Sequence, residues 1–196
     1  MDNVEKYMNK YSDEELIALV LEKNSKALKI LYERYHIPFY NFVLRYTNNR
    51  EVSEDILQET FTRVWFASHL FNSDKGSFKT WLFTIGINIT RNEMIKKRYT
   101  YQYIDFEEVL NEDGTSQQLD NEEPESILEK TELKDTISQA LEKLNPYLKE
   151  VILLKHYNQM KFREIAEITN TPEGTLKARF HHGIAELRKL LQRLEY

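Results

Sequence analysis

Apolar residues in this chain recur at three- and four-residue spacing through most of its length, and few breakers interrupt them. The 196 residues include five glycines and four prolines. That period stacks side chains on one face of a helix, so the expected fold class is all-α. Ser12-Asp13-Glu14-Glu15 has capping-box spacing, followed by an apolar stripe at Leu16, Leu19 and Val20. A second helix is expected near Ser25, with Ala27, Leu28, Leu31 and Tyr32 on one face. Pro38 has no N–H to donate and is expected to kink or restart it before Phe39, Phe42, Val43 and Tyr46. Asn48-Asn49 reads as a turn, 51–68 as a third helix, 72–77 as a loop and 78–97 as a fourth helix. Further helices are expected near 127–144, 146–157, 162–169 and 173–194.

The net charge of −5 hides an uneven distribution. Residues 26–98 carry twelve basic and seven acidic side chains, and residues 145–196 carry nine and six. Residues 99–129 between them carry ten acidic residues and neither Lys nor Arg. Two basic units therefore flank an acidic one, and the whole-chain charge misleads about nucleic acid. The expected organisation is two small helical domains, 1–98 and 126–196, joined by a flexible acidic linker at 99–125. Too few apolar side chains lie in that linker to offset chain entropy, and like charges extend it. With no cysteine, neither a disulfide framework nor a thiolate metal site is available. No stretch has the apolar length of a membrane span, and the first ten residues lack a signal-peptide core, so a soluble, cytoplasmic protein is expected.

The segment from Lys161 to Phe180 carries the sharpest local pattern. Ile165, Ile168, Leu176 and Phe180 can meet in a small core, Ala166 lets a crossing helix approach, and Asn170 tolerates a left-handed turn. Pro172 and Glu173 suit a helix start. This resembles a helix-turn-helix, whose second helix enters the major groove by its first turns. Lys177, Arg179, His181 and His182 would face outward, with Arg179 able to grip a guanine edge through two hydrogen bonds. A plain basic surface helix is the alternative. The adjacent histidines lack a third ligand at useful spacing, so no metal is expected.

The fourth helix is basic and aromatic. Lys79, Asn88, Arg91 and Asn92 fall near one side, Trp81, Leu82, Ile85 and Ile89 form an apolar stripe, and Lys96, Lys97 and Arg98 make a basic end. Aromatics beside cations can stack on unpaired bases while the cations hold the backbone, although Trp81 and Phe78 can equally be core.

Three blocks in order then resemble the extracytoplasmic-function (group 4) sigma-70 family of RNA polymerase sigma factors. The first is Ala27-Leu28-Lys29-Ile30-Leu31-Tyr32-Glu33-Arg34-Tyr35 with Glu54-Asp55-Ile56-Leu57-Gln58-Glu59-Thr60-Phe61. The second is Phe78-Lys79-Thr80-Trp81-Leu82 with Asn88. The third is the helix-turn-helix, preceded by Leu144-Asn145-Pro146 and ended by Arg179. The resemblance implies a bacterial sigma factor that binds core RNA polymerase and directs promoter recognition, DNA melting and transcription initiation, without catalysis or cofactor of its own. It implies that Asp55, Gln58 and Glu59 dock on the polymerase. It implies that 72–77 and the following helix start, with Phe78, Lys79, Asn88, Arg91 and Asn92, hold the −10 element. It implies that Thr175, Lys177, Ala178, Arg179, His181 and His182 face the −35 element. An anti-sigma factor is an implied partner, because both DNA surfaces can be masked together. His182 stands where Arg is usual, Gly86-Ile87 where Ala-Arg is usual, Asn92 where Asp is frequent and Gly183 where Ala is common; these affect which promoter is read.

Two other classes compete. A stand-alone helix-turn-helix regulator needs no docking face like 55–59. A metal-dependent nuclease needs clustered carboxylates or histidines, which the spacing does not supply.

Overall fold

The helices whose first turns are described start within a residue of where the local chemistry predicts. In the computed structural model, which describes residues 8–104 and 135–194, helix α1 spans Asp13–Leu21. It opens with both halves of the capping box: Ser12 Oγ accepts from the Glu15 backbone at 3.2 Å, and Glu15 accepts from the Ser12 backbone at 2.7 Å. Helix α2 spans Ser25–Thr47 and α3 spans Arg50–Phe66. The Asn48-Asn49 pair divides the turn between two jobs. Asn48 ends α2 in the left-handed conformation, and the Asn49 side chain caps α3 by accepting from the Val52 backbone at 2.9 Å.

Pro38 does not restart α2, which runs unbroken past it. The side chain lies on the exposed face, where water can reach the carbonyl one turn back that loses its donor. Helix α4 spans Phe78–Ile104, longer than the expected 78–97 and six residues into the expected linker. Nothing from Tyr99 to Ile104 breaks a helix, and the acidic run starts only at Asp105. The rest of that linker lies outside the described residues, as does the start of the helix expected at 127–144.

Aromatic rings fill the core of this N-terminal unit. Phe39 and Phe42 meet Phe83 edge-on, with centroids 5.3 and 5.9 Å apart. The Phe39 ring presses on the backbone at Gly86, where an added Cβ would sit 2.1 Å from a ring carbon. Glycine is present because two helices approach too closely there for any side chain.

The C-terminal unit begins with α5 at 135–142, then α6 at Pro146–Ile152, capped by the Asn145 side chain on the Tyr147 backbone at 3.0 Å. Over Leu153–Tyr157 the backbone widens into a π-helical turn. Helices α7 (Phe162–Thr169) and α8 (Glu173–Leu194) follow. Asn170 takes the expected left-handed conformation between them, and Ile165, Ile168 and Leu176 are buried. The two units touch: α4 packs on α7, and α2 packs on the π-helical turn. Leu153, Leu154, Met160, Ile165, Ile168 and Leu176 belong to one apolar core with the N-terminal unit, while Leu144, Leu148 and Ile152 form a smaller one. No helix among the described residues is long and apolar enough to cross a membrane.

Candidate nucleic-acid interface

The first turns of α8 are open. Thr175, Lys177, Ala178, His181 and His182 are exposed on a helix whose opposite side is anchored by buried Leu176. Lys177 stands 3.8 Å from Glu173, and His182 3.9 Å from Glu186, both weak surface pairs that another partner can displace. Arg179 is half-buried; its guanidinium lies over the Tyr147 ring at 5.2 Å, so α6 orients it from within the same unit.

The side of α4 expected to face DNA divides. Asn88 and Asn92 are exposed. Arg91 forms a two-pronged ion pair with Glu150 of α6, at 2.9 Å through Nε and 2.6 Å through Nη2. That hydrogen bond holds the guanidinium above its ordinary pKa. Lys79 Nζ donates to the Asn158 carbonyl at 3.0 Å. Asn158 follows the π-helical turn and donates its own amide to the Leu153 carbonyl at 3.3 Å. Phe78, expected at the −10 strand, has no exposed surface; its ring packs with Phe71, Tyr35 and Trp81. Its contribution in this conformation is to fix the start of α4, since a covered ring offers no face to a base. The loop before it is ordered by its own polar groups, with Asn72 accepting from the Asp74 backbone at 2.8 Å and Ser77 from Thr80 at 3.2 Å.

Asp55, Gln58 and Glu59 are all exposed on α3, with Glu59 paired to Arg63 at 2.7 Å. Sequence reasoning missed what lies beside them. Leu57, Phe61, Trp65 and Phe66 of α3, with Leu28 and Tyr32 of α2, line an apolar groove that Gln58 also borders. Phe66 is 68% exposed. The signal was available: apolar residues at 57, 61, 65 and 66 cover more of the helix circumference than one buried face needs.

Lys149 and Glu150 were also missed. Both are buried where the units meet, set in the run Leu148-Lys149-Glu150-Val151-Ile152. Lys149 Nζ donates to the Tyr46 carbonyl at 2.9 Å, in the last turn of α2, where helix carbonyls lack internal donors. Burial pulls its pKa down to about 8, partly countered by the charge of Glu142. Burial raises Tyr46 to about 12, with the Glu150 charge adding to it. Arg45 lies over the Tyr157 ring at 4.4 Å, and the Asn48 side chain reaches Glu142 and Ser138, completing the contact.

Comparison with known proteins gives the family of the chain. Residues 31–103 match the sigma-70 region 2 family, and residues 134–187 match the sigma-70 region 4 family. The chain is 34% identical over 181 residues to the ECF RNA polymerase sigma factor SigW of Bacillus subtilis, spanning 91% of this chain and 96% of that protein. Two solved structures share its fold at 22% identity. One is the sigma factor RpoE of Bartonella quintana in complex with the anti-sigma factor NepR, with a TM-score of 0.69 over 85% of this chain and 98% of that one. The other is CnrH in complex with the cytosolic domain of CnrY, at 0.68 over 93% and 99%. The chain belongs to the sigma-70 family, as a sigma factor of the ECF kind.

Proposed function

We propose that this sigma factor delivers core RNA polymerase to promoters by dividing recognition between its two units, and that it does so in the cytoplasm. The first turns of α8 would read the −35 duplex, with Arg179 and Lys177 as the reading cations. Thr175, Ala178, His181 and His182 would line the same groove. Lys79, Asn88, Arg91 and Asn92 on α4, with the 72–77 loop, would hold the separated −10 strand. Extruding a base costs a few kcal/mol, which pocket contacts and polymerase binding would offset. Asp55, Gln58 and Glu59, with the groove beside them, would dock on polymerase. Bond-making belongs to the polymerase; this chain supplies address and strand capture. An anti-sigma factor that covers both DNA-facing helices is the natural inhibitor.

The observation that carries this reading is the open face of α8 on a chain that also exposes a separate docking face on α3. A stand-alone regulator has no use for the second. The test is run-off transcription with core polymerase on a promoter library. Defined transcripts are expected from the full chain, with a large loss when Asp55 and Gln58 are both replaced by alanine. A holoenzyme that initiates nowhere overturns the reading, and wild-type polymerase affinity in the double variant removes the docking assignment.

A further inference from the structure

The stretch of α8 proposed to face the −35 duplex carries no net charge unless its histidines do. From Glu173 to Glu186 the fixed charges are two carboxylates, Glu173 and Glu186, and two cations, Lys177 and Arg179, which cancel. Each carboxylate lies near a basic group one turn away, Glu173 at 3.8 Å from Lys177 and Glu186 at 3.9 Å from His182. Such a balance gives little attraction to a polyanion. His181 and His182 are the other side chains of the stretch that can take a charge, because imidazole gains its proton on mild acidification. Both are exposed, His182 with 72% of its side chain open to solvent. Ala178 and His182 are four residues apart, as are Lys177 and His181, so the pair lies one turn past the reading residues. A recognition helix reaches base edges with its first turns, which leaves the next turn to the phosphates at the edge of the groove.

We propose that His181 and His182 make the hold of this sigma factor on −35 DNA acid-responsive, their protonation adding phosphate contacts to a helix that is otherwise electroneutral where it meets the duplex. The proposal rests on α8 being the −35 reader. The surrounding charges leave the pair free to act. On α8 itself Glu186 pairs weakly with His182, and the next cations, Arg188 and Lys189, come after it. From α6, Tyr147 lies under Arg179, while Lys149 and Glu150 are engaged by the other unit. On α7, Arg163 pairs with Glu167 at 3.4 Å and Glu164 accepts from the Lys161 backbone at its own helix start. The ring of Phe180 meets His181 edge-on at 5.9 Å. While its neighbouring ring is uncharged, Glu186 faces the DNA backbone unopposed; once protonated, His182 offsets it. Phosphates carry no sequence information, so protonation strengthens the grip without changing which −35 element is read.

The test uses the full chain with core polymerase. The probe is a labelled duplex that spans the −35 element of a promoter this holoenzyme transcribes and stops short of the −10 element. Binding is followed at about pH 6 and about pH 8 over a range of salt. The double variant His181→Gln with His182→Gln, in the same holoenzyme, corrects for the pH response of polymerase. Both side chains are exposed, so the replacement leaves the core untouched. The wild type is expected to bind several-fold more tightly at the lower pH, and the double variant to lose that gain. Salt gives the sharper readout. Each added phosphate contact steepens the logarithmic salt slope by about 0.9, so acidification should steepen the wild-type slope by about two. His182→Arg should hold one of those contacts at both pH values. Equal pH responses in the wild type and the double variant overturn the proposal. So does a gain in affinity with an unchanged salt slope, because phosphate contacts are then not its source. A single base-pair change in the −35 element should cost the same fold at both pH values; a cost that moves with pH would put the histidines on bases and overturn the phosphate assignment. A duplex bound no better than one of random sequence at either pH sinks α8 as the −35 reader, whereas specific binding with no histidine effect sinks only the acid response.

Discussion

The two units hold the cations proposed to face DNA differently. In the C-terminal unit Arg179 rests on Tyr147, an aromatic face of its own unit, and the rest of the reading surface is open. In the N-terminal unit Arg91 and Lys79 are bound to oxygens of the other unit. A cation over an exposed ring keeps its donors available, whereas the Arg91 guanidinium has two of its N–H donors engaged by a buried carboxylate. On the proposed reading one surface is displayed, while cations of the other are engaged by the contact between the units.

That comparison requires the N-terminal unit to stand on its own core while the C-terminal unit leans on it. Gly86→Ala attacks the first half and carries the largest expected effect. The added methyl meets the fully buried Phe39 ring, which has no free volume to move into. A loss of about 3 kcal/mol is expected. Both tryptophans, Trp65 and Trp81, lie in this unit, so their fluorescence in urea reports it selectively. An unchanged fluorescence midpoint would show that the close approach does not limit stability.

Second in size is the pH response of the contact itself. Lys149 has its pKa pulled down to about 8 by burial, against 10.5 in the open chain. A depressed lysine disfavours the closed, folded state while it carries its proton. That penalty is present below pH 8 and is relieved as pH rises toward 10.5. Stability should therefore rise by about 2 kcal/mol between pH 8 and 10 relative to Lys149→Met. Above pH 10 the sign reverses. Tyr46 keeps its proton to about 12 when folded and gives it up near 10 when unfolded, so stability falls there. Glu142, Glu150 and Arg91 face the same contact. Urea midpoints of the two chains across pH 7–11 check this; parallel curves would mean Lys149 is not buried in solution.

Much of this molecule was legible in sequence, and the exceptions share a cause. The capping box at Ser12, the turn at Asn48-Asn49, the left-handed residue Asn170 and the three- and four-residue period marked out the helices, because each acts over a few neighbouring residues. Pro38 misled because its cost depends on which face it occupies, and only packing decides that. The end of α4 was missed because composition was averaged across 99–125, though Tyr99–Ile104 and the acidic run behave differently. Among site residues, Lys177, His181, His182, Asn88 and Asn92 stand exposed as expected. Phe78 does not, since a phenylalanine at a helix start reads the same whether it faces a base or the core. Arg91 lies near Asn88 and Asn92 on α4, whereas Lys79, nine residues before Asn88, falls on the opposite side of the helix, and the partners of both cations come from 59 and 79 residues away, beyond any local pattern. Charged Lys149 and Glu150 inside an apolar run were the one sequence trace of that long-range contact.

Gly183→Ala probes the other half of the core comparison with a smaller effect. Its added methyl would meet the Ile152 Cδ1 at 2.9 Å and the Leu148 Cβ at 3.2 Å. The nearer atom is the tip of a flexible side chain, in the smaller cluster shared by α6 and α8, so the packing can yield. About 1 kcal/mol is expected, at the low end for overpacking. Circular dichroism should register it while tryptophan fluorescence does not. A fluorescence shift equal to that of Gly86→Ala would mean that the units unfold as one.

The smallest expected effect tests the claim that Arg179 is held ready by its own unit. Tyr147 is 59% exposed, so its hold on the guanidinium is that of a solvent-facing cation–π pair, about 0.5 kcal/mol. Tyr147→Leu keeps the apolar bulk and removes the π face. It should weaken binding to a −35 duplex from a responsive promoter by about that amount, whereas Arg179→Ala should cost roughly 1–3 kcal/mol. The decisive measurement is the double variant. If Tyr147 acts only by orienting Arg179, its replacement does nothing further once Arg179 is gone, and the two effects fail to add by the whole Tyr147 contribution. Full additivity would mean that Tyr147 touches DNA itself. The reading surface would then extend from α8 onto α6.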